Sequence, residues 1–347
     1  MLVKELPVKG RSVHRPKDHC LPRIETRWKG KSKPFFTLTN SHLEYLPLFE
    51  SFNKDFFCKN ILPNKKLTYR YEPTKTVPGK ELKKLINKLF QEIRRTNKTY
   101  SDFTILRSRD FNRRKCSGLI ILKCKHHPFV VKVFIETPET FIKHNSKGLI
   151  PAFFFHMAGG INRHLLGFTR IKNLEKIKKM IAKSENWTNL VTFPRKWFFM
   201  PKKTKWIEIS GYNIGAHGNQ KTSLPGTYCI ISDWVNAERI SSVFNREDRR
   251  KCMQLCNYLD LVIDPHIDNF LIEKNTKKVA IVDTEDFHRV VGLKEKKKFT
   301  GYFSWFSHMA AKCLHSLFLR TKRTRRSIQS AQCDMPKKKG ADKPPKA

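Results

Sequence analysis

The chain has 347 residues, of which 39% are apolar and 29% charged. That supplies a core for one large domain or two ordinary ones and excludes a collagen-like, coiled-coil or wholly disordered protein. Lys and Arg number 70 against 30 Asp and Glu, a formal charge of +40, which excludes partners with a positive binding surface and admits phosphate-bearing ligands, nucleic acid or an anionic membrane surface.

In chain order, residues 1–79 are rich in Pro, Lys, His and Arg with short apolar runs, and predict an irregular basic arm. The segment Gly79–Arg95 then places Leu82, Leu85, Ile86, Leu89 and Ile93 on one stripe at helical spacing, an amphipathic helix. Phe103–Leu106, Gly118–Leu122 and Phe129–Phe134, separated by the basic loop RSRDFNRRKCS and a His-His-Pro turn, predict an antiparallel meander. Residues 171–183 predict a helix, 188–200 and 205–210 strands broken at Pro194 and Pro201, and Gly211–Pro225 a loop. Thr227–Trp234 predicts a buried strand. A helix is expected over Glu247–Leu261, with Cys252, Met253, Cys256 and Leu259 on one face. Strands at 270–273 and 279–282 flank a turn, and 299–320 predicts a strongly apolar helix. The basic tail 321–347 should be disordered.

The 9 cysteines follow no metal-ligand spacing and read as free thiols in a reducing compartment. The first residues lack the apolar stretch of a signal peptide, and no run of about 18 apolar residues occurs, so the expected compartment is the cytoplasm. Peripheral membrane association is the minority expectation, since cations flank the helix 299–320.

The densest chemistry lies in VIDPHIDNFLIEKNTKKVAIVDTE, residues 262–285. Pro265 keeps Asp264 extended just after a helix. Asn269 opens a hairpin whose second strand ends at Asp283, so two carboxylates and an amide oxygen converge at one hairpin mouth. Hard oxygen ligands of this kind suit Mg2+ alongside substrate phosphates.

The pattern Asp264, His266, Asn269, followed by a hairpin and Asp283, resembles the protein-kinase-like fold, nearest to its aminoglycoside-phosphotransferase and small bacterial kinase branch. Upstream, FVVKVF is similar to that family's third-strand signature. The resemblance implies an α+β, two-lobed fold with an antiparallel-sheet N-lobe (80–234) and a small helical C-lobe (235–320). It implies ATP and Mg2+ as cofactors, with Lys132 on the α/β-phosphates and the backbone of Ser232, Asp233 and Trp234 facing the adenine. Asp264 would be the base or orienter of an acceptor hydroxyl, and Asn269 and Asp283 the metal ligands. The departures are definite. No GxGxxG lies between the first two strands, where Arg109, Arg113, Arg114 and Lys115 stand instead. Val262 replaces a histidine, and Thr284-Glu285 replaces Phe-Gly. The glutamate that should pair with Lys132 is unassigned; Glu136 and Glu139 are too near it, which leaves Glu175.

The expected function is ATP-dependent transfer of the γ-phosphoryl group to a hydroxyl acceptor. The alternatives are a catalytically inactive pseudokinase or scaffold, and a basic nucleic-acid-binding protein using strands such as KWFFMPKKTKW to stack on bases. The basic C-terminal region is the expected contact for an acidic or membrane-surface partner.

Overall fold

Strand pairing, nearly all of it antiparallel, organises a mixed α+β architecture. The computed structural model describes residues 23–28, 31–36, 50–137, 160–212, 220–286 and 298–311. Along the chain these form β1 (Arg23–Trp28), β2 (Lys31–Phe36), α1 (Lys54–Lys59), β3 (Lys66–Thr68), β4 (Thr76–Pro78), α2 (Gly79–Arg94), β5 (Phe103–Arg107), β6 (Phe111–Asn112), β7 (Ser117–Cys124) and β8 (Phe129–Ile135). There follow α3 (Gly160–Ile181), α4 (Glu185–Thr188), β9 (Val191–Thr192), β10 (Lys196–Phe199), β11 (Trp206–Tyr212), β12 (Gln220–Pro225), β13 (Thr227–Asp233), β14 (Ala237–Ile240) and α5 (Arg246–Tyr258). The hairpin β15 (Phe270–Glu273) and β16 (Val279–Ile281) comes next, then a helix α6 over residues 302–311.

The central sheet runs β10-β13-β8-β7-β5, with β6 added on β7, and it contains the expected meander. Side chains alternate across it. Ile120, Leu122, Phe129, Val131 and Val133 meet Leu82, Ile86, Leu89 and Ile93 of α2 in one core. This amphipathic helix is the one that the apolar spacing predicts. The opposite face, with Phe134, Phe198, Tyr228 and Ile230, packs on α3, α5 and α6 in a second core. A smaller sheet, β14-β15-β16-β9, contains the expected hairpin; β16 pairs parallel with β9.

Several boundaries differ from the sequence expectation. The helix expected from residue 171 begins at Gly160, because every residue from His164 to Ile171 is buried and no polar stripe marks the helical period there. Within the expected irregular arm, β1 and β2 form a hairpin that extends β11 and β12, and β3 pairs with β4. These strands are short, and their few apolar residues give no run of alternation long enough to read. The expected loop Gly211–Pro225 includes the end of β11 and all of β12, whose residues QKTSLP are likewise mostly polar. Of the expected helix 299–320, residues 302–311 are helical and 312–320 lie outside the described residues, as does the tail 321–347. No helix among the described residues is long and apolar enough to cross a membrane.

Candidate active site

Lys132 lies on β8, on the same sheet face as Phe134, and the cross-strand register puts Ile121 and Ile230 beside it. Lys196 of β10 stands opposite Ser232 on that face. From this floor the Lys132 Nζ reaches Asp283 Oδ2 at 2.9 Å, across 151 positions of sequence. The predicted lysine and the predicted strand-end acid therefore meet.

The acidic loop is shaped by its entry. After α5 come two non-glycine residues in the left-handed region, Asp260 (φ 51°) and Leu261 (φ 54°). The Leu261 N–H donates to the Cys256 carbonyl at 2.8 Å, which closes the helix end and turns the chain toward the sheet. Such backbone is strained, of order 1 kcal/mol per residue, and is held by the burial of Leu261. Past Pro265, the His266 N–H donates to Asp264 Oδ1 at 3.0 Å, and Asn269 Nδ2 donates to the Asp264 carbonyl at 3.2 Å. The Val282 N–H donates to the Asn269 carbonyl at 3.0 Å, which ties this loop to the residue before Asp283. Asp264, Asn269 and Asp283 are thus gathered at one hairpin mouth.

A further residue joins them that the sequence reading missed. Arg170, on α3, donates from Nε to Asp283 Oδ1 at 2.7 Å and from Nη2 to Asp283 Oδ2 at 3.2 Å. The same Nη2 reaches Glu285 Oε2 at 2.5 Å. Thr284, between the two acids, donates to the Arg170 carbonyl at 2.7 Å and accepts from Lys196 Nζ at 2.7 Å. Asn173 donates to the carbonyls of Val262, Thr284 and Glu285. Thr284 and Glu285 therefore lock the acidic strand end onto α3. In the sequence Arg170 is one cation among 70, and no spacing singles it out.

Charge follows geometry. Burial would raise the Asp283 carboxyl, but Arg170 and Lys132 beside it hold it well below the usual carboxylate range. Burial pushes the Asp264 carboxyl up to about 8, helped by the negative charges of Glu285 and Asp283, although part of the side chain still meets solvent. Burial also raises Glu285. It lowers Lys132, and it lowers Lys196 well below an ordinary lysine, with the Lys132 charge adding to the effect. His266 is lowered by burial, against the nearby charge of Asp268 and with Arg107 and Arg109 adding to the push.

Other expected site residues sit differently. Ser232 shares the Lys132 face by register. The backbone N–H groups of Asp233 and Trp234 donate to the carbonyls of Arg195 (3.2 Å) and Pro128 (2.7 Å), so they are not open to an adenine ring. The Asp233 carboxylate is gripped by Arg195, and Lys123 Nζ lies 3.9 Å over the Trp234 ring. Glu175 is exposed on α3, so the acids on this face come from the hairpin end; Glu139 lies outside the described residues. In the strand KWFF, Phe198 and Phe199 are buried and build core.

Lys132, Lys196 and Arg170 converge on the acidic strand end, and Arg170 Nη1 is buried without an acceptor. The same arrangement does not suit a divalent cation, because both Asp283 oxygens are engaged by Arg170 and Lys132, and Asp264 is pushed toward its neutral form. Among the described residues no group of three or more His, Cys, Asp or Glu is placed to hold a metal ion. Compared with protein-family models, curated proteins and solved structures, the chain matches none of them.

Proposed function

We propose that the chain is a divergent kinase-like, ATP-dependent phosphotransferase with a hydroxyl-bearing acceptor. The observation that carries this reading is the meeting of Lys132 with Asp283 at the mouth of the hairpin opened by Asn269, with Asp264 alongside. The order of parts supports it. The lysine strand is followed by a long helix, α3, that packs on its face, then by a strand leading to a connecting segment, a helix, the acidic loop and the metal-acid position. In this reading the central sheet with α3 forms the N-lobe, and α5, the hairpin and α6 form a small C-lobe.

Lys132, Lys196 and Arg170 take the phosphates, with most of the rate gain coming from charge neutralisation and positioning. Asp264 orients the acceptor hydroxyl and takes up its proton, most effectively above pH 8, where its carboxyl is ionised. Both Asp283 oxygens are taken by Arg170 and Lys132, so the residues present do not fit Mg2+, and we assign it no step. Calorimetric titration of the full chain with ATP, with and without Mg2+, tests the site. Binding should weaken about tenfold or more in Lys132→Ala and stay within about twofold in Asp264→Asn, while turnover is abolished in the latter. Equal ATP affinity in wild type and Lys132→Ala, or unchanged turnover in Asp264→Asn, removes the reading.

One observation favours a second reading, a catalytically inactive scaffold. The helix that follows the lysine strand presents an arginine to Asp283 where an active kinase presents a glutamate to the lysine. ATP binding without turnover under any metal supports that alternative.

A further inference from the structure

Helix α6, residues 302–311 with the sequence YFSWFSHMAA, contains no charged side chain in a chain that is 29% charged. Its inner side is accounted for, since Tyr302, Trp305 and Met309 are buried in the core shared with α5 and the acidic loop. Its outer side is not. Phe303 is 58% exposed and Phe306 45% exposed, one turn apart on the same face, with Ser307 and Ala310 beside them. This apolar face continues onto the neighbouring element. Arg249 of α5 stacks its guanidinium 4.9 Å from the Phe303 ring centre and donates to the Val243 carbonyl, and the next residue, Phe244, is 93% exposed. Three phenyl rings thus share one surface, which a monomer rarely leaves bare.

The rim of this surface is basic. Arg246 and Lys298, close to the rings in sequence, are exposed, and Arg249 stacks on the Phe303 ring. A second copy of this chain would bring a charge of +40 against +40, which opposes self-association through such a face. An anionic bilayer complements it in both respects. Aromatic rings settle at the acyl–headgroup boundary, and each Lys or Arg near the surface gains electrostatically.

We propose that the face formed by Phe244, Phe303 and Phe306 docks the protein on the surface of an anionic lipid bilayer. α6 lies in the interface plane with its tyrosine–tryptophan side on the protein core. This inference stands apart from the phosphotransfer reading, because it uses no residue of the Lys132–Asp283 cluster.

The test is co-sedimentation of the full chain with vesicles of phosphatidylcholine alone and of phosphatidylcholine containing phosphatidylglycerol, at low and moderate salt. Wild type should bind the mixed vesicles and leave the neutral ones in solution. The variant Phe303→Ser/Phe306→Ser alters only exposed rings and keeps every cation; it should fold with an unchanged circular dichroism spectrum and bind the mixed vesicles about tenfold more weakly. The variant Phe303→Leu/Phe306→Leu should bind within about twofold of wild type. Equal binding by wild type and the serine variant overturns the proposal, because it assigns the attraction to the dispersed basic charge or shows the face covered by other parts of the chain. Equal binding to neutral vesicles overturns it, as does a dimer that the serine variant dissolves.

Discussion

Asp264 combines its position and its charge in a way that can be measured. Its carboxyl has an ordinary value of 3.8 and is pushed up to about 8 by burial beside Glu285. A carboxyl raised in the folded state contributes stability that is complete below its unfolded value and lost as pH rises through its folded value. Asp264→Asn removes this dependence while keeping an oxygen to accept the His266 N–H. At about 1.4 kcal/mol per pH unit between the two values, the variant should match wild type near pH 4 and exceed it by up to roughly 6 kcal/mol at pH 8.5, as read by urea unfolding at the two pH values. A variant less stable than wild type at pH 8.5 contradicts the buried environment. The sequence names Asp264, Asn269 and Asp283, because Pro265 and the hairpin spacing restrict where they can go, and it names Lys132 only through the resemblance of FVVKVF to a kinase-like third strand. It is silent on Arg170 and Lys196. A cation becomes a site residue only by being folded against an acid, and its own neighbours in sequence carry no trace of that.

Helix α3 is the element that turns the sheet face into a site. It lies close to the sheet because Gly167 allows it; a Cβ there would come within 1.9 Å of the Tyr228 hydroxyl and 3.0 Å of Phe134. Tyr228 in turn donates to the His164 carbonyl at 2.6 Å and stacks on Phe134 and Phe168, with ring centres 4.8 and 4.1 Å away. Aromatic pairs of this geometry add about 0.5–1.5 kcal/mol each beyond their burial. Gly167→Ala should thus cost about 1–3 kcal/mol by overpacking and, by lifting α3, loosen the Arg170–Asp283 contact. Thermal unfolding reads the first effect, and weakened ATP binding reads the second. An alanine variant as stable as wild type would show that the helix has room. The amphipathic α2 was legible from its stripe, and β5, β7 and β8 from short apolar runs separated by turn chemistry. The first half of α3 was not, because a helix buried on all sides has no polar face to reveal its period.

Across the whole molecule, Arg70 joins parts that are far apart in the chain. From the segment between β3 and β4 it donates to Glu273 of β15 at 2.7 Å, to the Phe193 carbonyl at 2.6 Å and to Thr192 of β9 at 2.5 Å. Tyr71 adds a 2.7 Å hydrogen bond to the same glutamate, whose side chain is 3% exposed. Removing one partner of a buried pair leaves the other charge uncompensated, so Arg70→Ala should lower stability by about 3 kcal/mol. Denaturant unfolding at neutral pH checks this. A change within about 0.5 kcal/mol would show that Tyr71 and Thr276 suffice to hold Glu273.

What the sequence determined by itself is local: the stripe of α2, the meander, the hairpin between Asn269 and Asp283, and the few positions where Pro, Asp and Asn limit the backbone. Hydrophobic period and turn chemistry act over a handful of neighbours, so they can be read in one dimension. Tertiary structure decided the rest. It added β1, β2 and β12 to a sheet through backbone hydrogen bonds that any side chain permits. It also placed the Arg170 guanidinium against Asp283 across 113 positions, because burial leaves a carboxylate to find its counter-ion in space.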